Sequence, residues 1–136
     1  MKLKYFLPAI AASAMFIQPA TADEDTPLGE QMEIMNDAYK AFRREEDPEK
    51  GAALTREAQD AMIKAISLLP EMVTDMPDGP DKAKAAAKYR EMMGQLISTL
   101  ASIELAFLDG DMEKVAEGVT ALRESKKTGH DKYVEE

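Results

Sequence analysis

The chain holds one histidine, His130, and no cysteine. His130 falls eleven residues after the apolar Val119, and at roughly 100° per residue a helix returns it to within about 20° of the same face. Near the other end of the chain Met32 stands about one turn into an amphipathic segment, on its apolar side. If these two segments are antiparallel neighbours, a thioether and an imidazole meet at one end of the molecule. Facing each other across a helical core, such a pair is an iron-porphyrin ligand set of the electron-transfer type. Each residue by itself is also what ordinary packing would give: methionine is a common gap filler, and a histidine near a chain end is often partly exposed or capping.

Four helices must position the pair. Leu28, Met32, Met35, Tyr39 and Phe42 recur at intervals of four, three, four and three, which predicts a first helix reaching about Glu45, with Thr26 as cap and Pro27 at the first helical position. Asp47-Pro48-Glu49 repeats the start signal. Leu54, Ala58, Ala61, Met62, Ala65 and Leu69 then form the stripe of a second helix that ends near Pro70. Prolines at 70, 77 and 80 with Gly79 predict a loop of about ten residues. A third helix is expected from about Asp81 to Leu108, with Ala85, Tyr89, Met92, Leu96, Leu100, Ile103 and Phe107 inward. After the turn at Asp109-Gly110-Asp111, a fourth helix presents Met112, Val115, Val119 and Leu122 to the core before His130. Gly129, directly before the histidine, is expected to loosen the last helical turn.

No alternation of period two rich in β-branched residues appears, so the expected fold is all-α, an antiparallel up-down-up-down four-helix bundle. In that topology the start of the first helix and the end of the fourth share one end. Met32 and His130 then lie on the order of 7 to 9 Å inside it at 1.5 Å per residue.

The first residues predict export. Lys2 and Lys4, an apolar run from Tyr5 to Ile17 and the sequence Ala20-Thr21-Ala22 before Asp23 make a cleavable signal peptide over 1–22, with one domain over 23–136. The leader holds two of the 17 basic residues and none of the 26 acidic ones, so residues 23–136 carry a formal charge of −11. Such a surface repels nucleic acid and anionic lipid and favours basic patches on partner proteins. No second candidate membrane span follows the leader, so no membrane insertion is expected after cleavage. Without cysteine there is no disulfide frame, no thiolate nucleophile and no covalent haem attachment, so any haem must be held noncovalently.

The segment Leu28-Gly29-Glu30-Gln31-Met32-Glu33-Ile34-Met35-Asn36-Asp37 resembles the opening helix of the soluble cytochrome b562 family. The run from Tyr89-Arg90 through Leu96, Asp109-Gly110, Val115 and Leu122 to His130-Asp131-Lys132-Tyr133 is similar to that family's last two helices. The resemblance implies a periplasmic bundle holding one haem b per chain, with a methionine early in helix one and a histidine late in helix four as axial ligands. Those positions fall on Met32 and His130. With both axial sites filled by protein, the implied function is one-electron transport rather than catalysis, between redox partner proteins that the sequence does not identify, and a monomer is expected. Leu28, Met35, Pro70, Tyr89 and Met93 are the expected apolar lining. Lys126, one turn before His130, is placed to meet a haem propionate, or equally to stand solvated on the surface.

Two other readings remain open. Eight methionines in residues 23–136 suit Cu(I), with Met32 and Met35, Met72 and Met76, or Met92 and Met93 as candidate pairs. A haem-free bundle acting as an interaction module is the other. As an enzyme the chain offers little: Glu45-Glu46 and Glu135-Glu136 look like solvated charge, and Lys127 occupies the position where a di-iron Glu-x-x-His motif would need glutamate.

Overall fold

The computed structural model describes residues 26–133, apart from the side chains of His130 and Tyr133. The expected leader over 1–22 lies outside the described residues.

Helix α1 spans Pro27–Phe42 and begins as its sequence requires, with Thr26 Oγ1 accepting from the Gly29 amide at 2.9 Å and proline next. It buries Met35, Ala38, Tyr39 and Phe42. It stops at Phe42, three residues short of Glu45, because the chain must become extended at Asp47 ahead of Pro48. Asp47 then caps α2, Pro48–Ala65, through a 3.3 Å bond from the Lys50 amide. The inner face of α2 consists mainly of small residues: Gly51, Ala52, Ala58, Ala61 and Ala65 are all buried. Leu54 is only half-buried, and Leu69 lies beyond the helix end. The helix ends at Ala65, whose carbonyl accepts from the Tyr89 hydroxyl at 3.0 Å. That terminal carbonyl also accepts from the Leu68 amide at 2.8 Å, so it is bound both by the turn that follows and across the bundle.

The expected structureless loop contains a one-turn helix, α3, Glu71–Thr74. Pro70 holds the extended conformation before it, and Val73, 1% exposed, anchors the turn in the interior. Helix α4, Pro80–Leu108, follows Gly79. Its buried positions are Ala86, Tyr89, Met93, Leu96, Leu100, Ile103 and Phe107, a strict alternation of three and four, with Ala106 beside them. Ala85 and Met92, expected inward, are half-buried. The seam keeps the 3.5-residue period of coiled-coil packing, and that period selects Ala86 and Met93 instead. Gly110, at φ 71°, allows the left-handed turn that ends α4, and Asp111 accepts from the Lys114 amide at 3.1 Å to start α5, Met112–Tyr133. Met112, expected inward, is 39% exposed, and Leu105 and Leu108 in the last turn of α4 are exposed as well. Gly129 does not interrupt α5, which continues through it to Tyr133.

Close backbone packing joins α1 to α2, α2 to α4, α3 to α4 and α4 to α5. Directions follow from residue pairs. Gly51, at the start of α2, lies beneath the Phe107 ring at the end of α4, whereas Ala65 at the end of α2 meets Tyr89 near the start of α4. Gly118 of α5 lies against Ile103, and Gly129 against Met92. Each pair is therefore antiparallel, and the architecture is the expected up-down-up-down four-helix bundle with α3 as an accessory turn. No strand occurs among the described residues.

Candidate functional site

The seam between α1 and α5 differs from the other three. Among the described residues these helices are absent from the pairs in close backbone contact, and side chains bridge them instead. Lys126 Nζ donates to Asn36 Oδ1 at 2.8 Å and lies 4.0 Å from the centroid of the Tyr39 ring. Arg123, three residues before Lys126, acts electrostatically on the hydroxyl of Tyr39, three residues after Asn36. A step forward on α1 thus matches a step backward on α5, so this pair is antiparallel too.

The register locates the two ligand candidates. Four residues outward from Asn36 is Met32, and four residues outward from Lys126 is His130. Each is displaced by about 6 Å at 1.5 Å per residue, in the same direction. Met32 is half-buried and packs against the core. His130 lies within α5, its side chain outside the described residues.

The expected lining divides by depth. Met35, Tyr89 and Met93 are 2%, 1% and 0% exposed and belong to the central core, while Leu28 packs against that core half-buried. Pro70 is buried at the end where α2 has just finished. A cavity of about 270 Å³ lies elsewhere, between α4 and α5, lined by Met92, Gln95, Glu124, Ser125 and Thr128 and by none of the expected lining residues. Of the methionine pairs considered for copper, Met92 is half-buried and Met93 fully buried, so these sequence neighbours project differently. Met72 is 39% exposed with Met76 half-buried, and Met32 is half-buried with Met35 in the core.

Several residues at the seam escaped sequence reasoning. Tyr39 was legible only as an apolar core position, yet it organises a cluster of cations. Burial raises the pKa of its hydroxyl, but hydrogen bonds from Arg123 and Arg43 and the positive charges of Arg123 and Lys126 outweigh this and hold it below the usual tyrosine value. Burial lowers Lys126 below the usual lysine range; Tyr39 opposes that shift, and repulsion from Arg43 and Lys40 adds to it. The available signal was the spacing: Asn36 and Tyr39 on one helix and Arg123 and Lys126 on the other are each three apart and share a face. Gln31, beside Met32, has its Oε1 buried without a hydrogen-bond partner among the described residues. An acceptor left so costs about 1–3 kcal/mol, and such strain is tolerated most readily at a binding site.

A half-buried thioether toward the bundle end, with apolar residues behind it, fits a soft-ligated iron macrocycle. The fold is an antiparallel four-helix bundle whose α1–α5 seam is bridged by side chains. A family model for cytochrome b562 matches residues 27–134, and the chain belongs to that family. Its members are haem-binding electron-carrier bundles rather than enzymes, and they bind haem b. No curated protein matches the chain. No described helix is long and apolar enough to cross a membrane.

Proposed function

We propose that this chain is an exported, periplasmic one-electron carrier in which Met32 and His130 hold the iron of a noncovalent haem b from opposite sides. The observation that carries this reading is the register of the α1–α5 seam, with both residues one turn outward from the Lys126–Asn36 bond. Bound there, the haem would supply a one-electron couple whose ferrous form is favoured by thioether ligation. The chain's own residues do the rest. Met32 and His130 would be the two residues that hold the iron, which would leave it no position for a substrate. Leu28, Met35, Pro70, Tyr89 and Met93 exclude water from the apolar faces. Lys126 closes the seam below; for it to serve a haem propionate, it would exchange its bond to Asn36 for one to that carboxylate.

The test is the visible spectrum of the purified chain with haem. A reduced spectrum of six-coordinate low-spin type is expected, and His130→Ala should abolish it. Met32→Ala should open one axial position and lower the reduction potential. An unchanged spectrum in the histidine variant removes His130 from the iron, and an unchanged potential in the methionine variant assigns the sixth ligand elsewhere. Protonation competes with iron for imidazole, so a spectrum constant down to about pH 3, far below the free imidazole pKa of about 6.5, also refutes the reading.

A further inference from the structure

Tyr39 gathers positive charge from both helices of the seam. The Arg43 guanidinium carbon is 5.5 Å from its ring centroid, the Lys126 ammonium is 4.0 Å away, and Arg123 reaches the hydroxyl. Lys40 lies close enough to Lys126 to repel it. Among the described residues none of these four cations is ion-paired with a carboxylate, although Asp37 and Glu124 are their neighbours in the chain. The cluster stands on a chain whose residues 23–136 have a formal charge of −11. Part of it has a local explanation, since Lys40 and Arg43 sit at the C-terminal end of α1, where the helix dipole favours cations. Arg123 and Lys126 have no such explanation. They lie well inside α5, where Tyr39 and Asn36 hold Lys126 but no carboxylate among the described residues pairs with either charge.

We propose that Lys40, Arg43, Arg123 and Lys126, converging on Tyr39, form an oxyanion-binding site on the α1–α5 face that takes carboxylate or phosphate groups. Two guanidinium groups offer paired donors to a planar or tetrahedral oxyanion. The tyrosine hydroxyl lies between the two helices as a further donor, and the ammonium groups supply charge. The acidic remainder of the surface limits which anions approach, favouring a small ion or a localised acidic segment over an extended polyanion. The site does not depend on haem ligation by Met32 and His130.

The test titrates the full-length protein as purified, with inorganic phosphate in one arm and a hexaglutamate peptide in the other, by calorimetry and by the absorbance of the Tyr39 phenolate. Saturable binding is expected, and it should raise the Tyr39 pKa, because the oxyanion neutralises the cations that depress it. Substituting the three exposed members together, Lys40→Gln, Arg43→Gln and Arg123→Gln, should weaken binding about ten-fold or more, a loss of about 1.4 kcal/mol. The matched triple Lys84→Gln, Lys88→Gln and Lys114→Gln, also exposed, should change it less than about two-fold. Saturation by phosphate that displaces the peptide supports a small oxyanion as ligand; saturation by the peptide alone supports an acidic protein segment. Failure of both probes to saturate, or equal weakening in the two triples, overturns the proposal. All the substituted side chains are exposed, and circular dichroism checks that each variant keeps its helices.

Discussion

Lys126 Nζ and Asn36 Oδ1 meet at 2.8 Å across a seam where, among the described residues, α1 and α5 lack the close backbone packing of the other helix pairs. Side chains, this bond and the Lys126 contact with the Tyr39 ring among them, therefore set the register of the two helices bearing Met32 and His130. Lys126→Met should lose about 1 kcal/mol, the usual net worth of such a bond. A double-mutant cycle with Asn36→Ala, followed by urea denaturation, should return a coupling of similar size. Additive effects would show that the pair does not tie the helices together.

The Tyr39 hydroxyl has a lowered pKa in the folded chain, so the folded form releases this proton before the unfolded form does. The resulting stability is complete above the ordinary tyrosine value of about 10 and is lost as pH falls through the lower folded value. Tyr39→Phe should accordingly show a shallower rise of urea midpoint than the parent over the alkaline range approaching about pH 10. Parallel profiles for the two proteins would mean that the cation cluster does not act on this hydroxyl.

Tyr89 ties the last carbonyl of α2 to α4 through its 3.0 Å hydrogen bond to Ala65. Tyr89→Phe keeps the packed ring and leaves that carbonyl only its 2.8 Å bond from the Leu68 amide, so a loss of about 1 kcal/mol is expected from thermal or urea unfolding. Amide exchange should quicken first around residues 62–69, where α2 ends. Uniform quickening along the whole chain would contradict a local capping role.

At Gly51 an added Cβ would overlap the Phe107 ring. Phe107 is fully buried, so it has little room to move. Gly51→Ala should destabilise the bundle by about 1–3 kcal/mol despite the better helix propensity of alanine. The paired variant Gly51→Ala, Phe107→Leu should recover part of that loss. A stabilised single variant would show that α2 and α4 can separate freely at this point.

Gly129 presents the opposite case. A Cβ there would stand 3.3 Å from the Sδ and Cε of Met92, the far end of a flexible side chain. Gly129→Ala should therefore stabilise the protein by up to about 1 kcal/mol through helix propensity, since the thioether can rotate aside. Differential scanning calorimetry decides it, and a lowered midpoint would show Met92 to be locked in place.

Local chemistry along the chain was enough to determine the four long helices, their starts and their order. Thr26-Pro27, Asp47-Pro48 and Gly110-Asp111 are capping signals that act within one turn, and each starts or ends a helix where it stands. Met32 and His130 could be singled out the same way, because helical periodicity and the up-down topology set their depth without any contact being known. The tertiary structure decided what depends on partners distant in sequence. The end of α2 at Ala65, four residues before the end of its apolar stripe, goes with a carbonyl bond supplied by Tyr89. Ala86 and Met93 replace Ala85 and Met92 as buried residues because the packed seam imposes a 3.5-residue period that an isolated helix does not have. Val73 anchors a helical turn that the prolines around it do not announce. The cation cluster on Tyr39 exists only when α1 and α5 lie side by side, since electrostatic and hydrogen-bond energies depend on distance through space and not on separation along the chain.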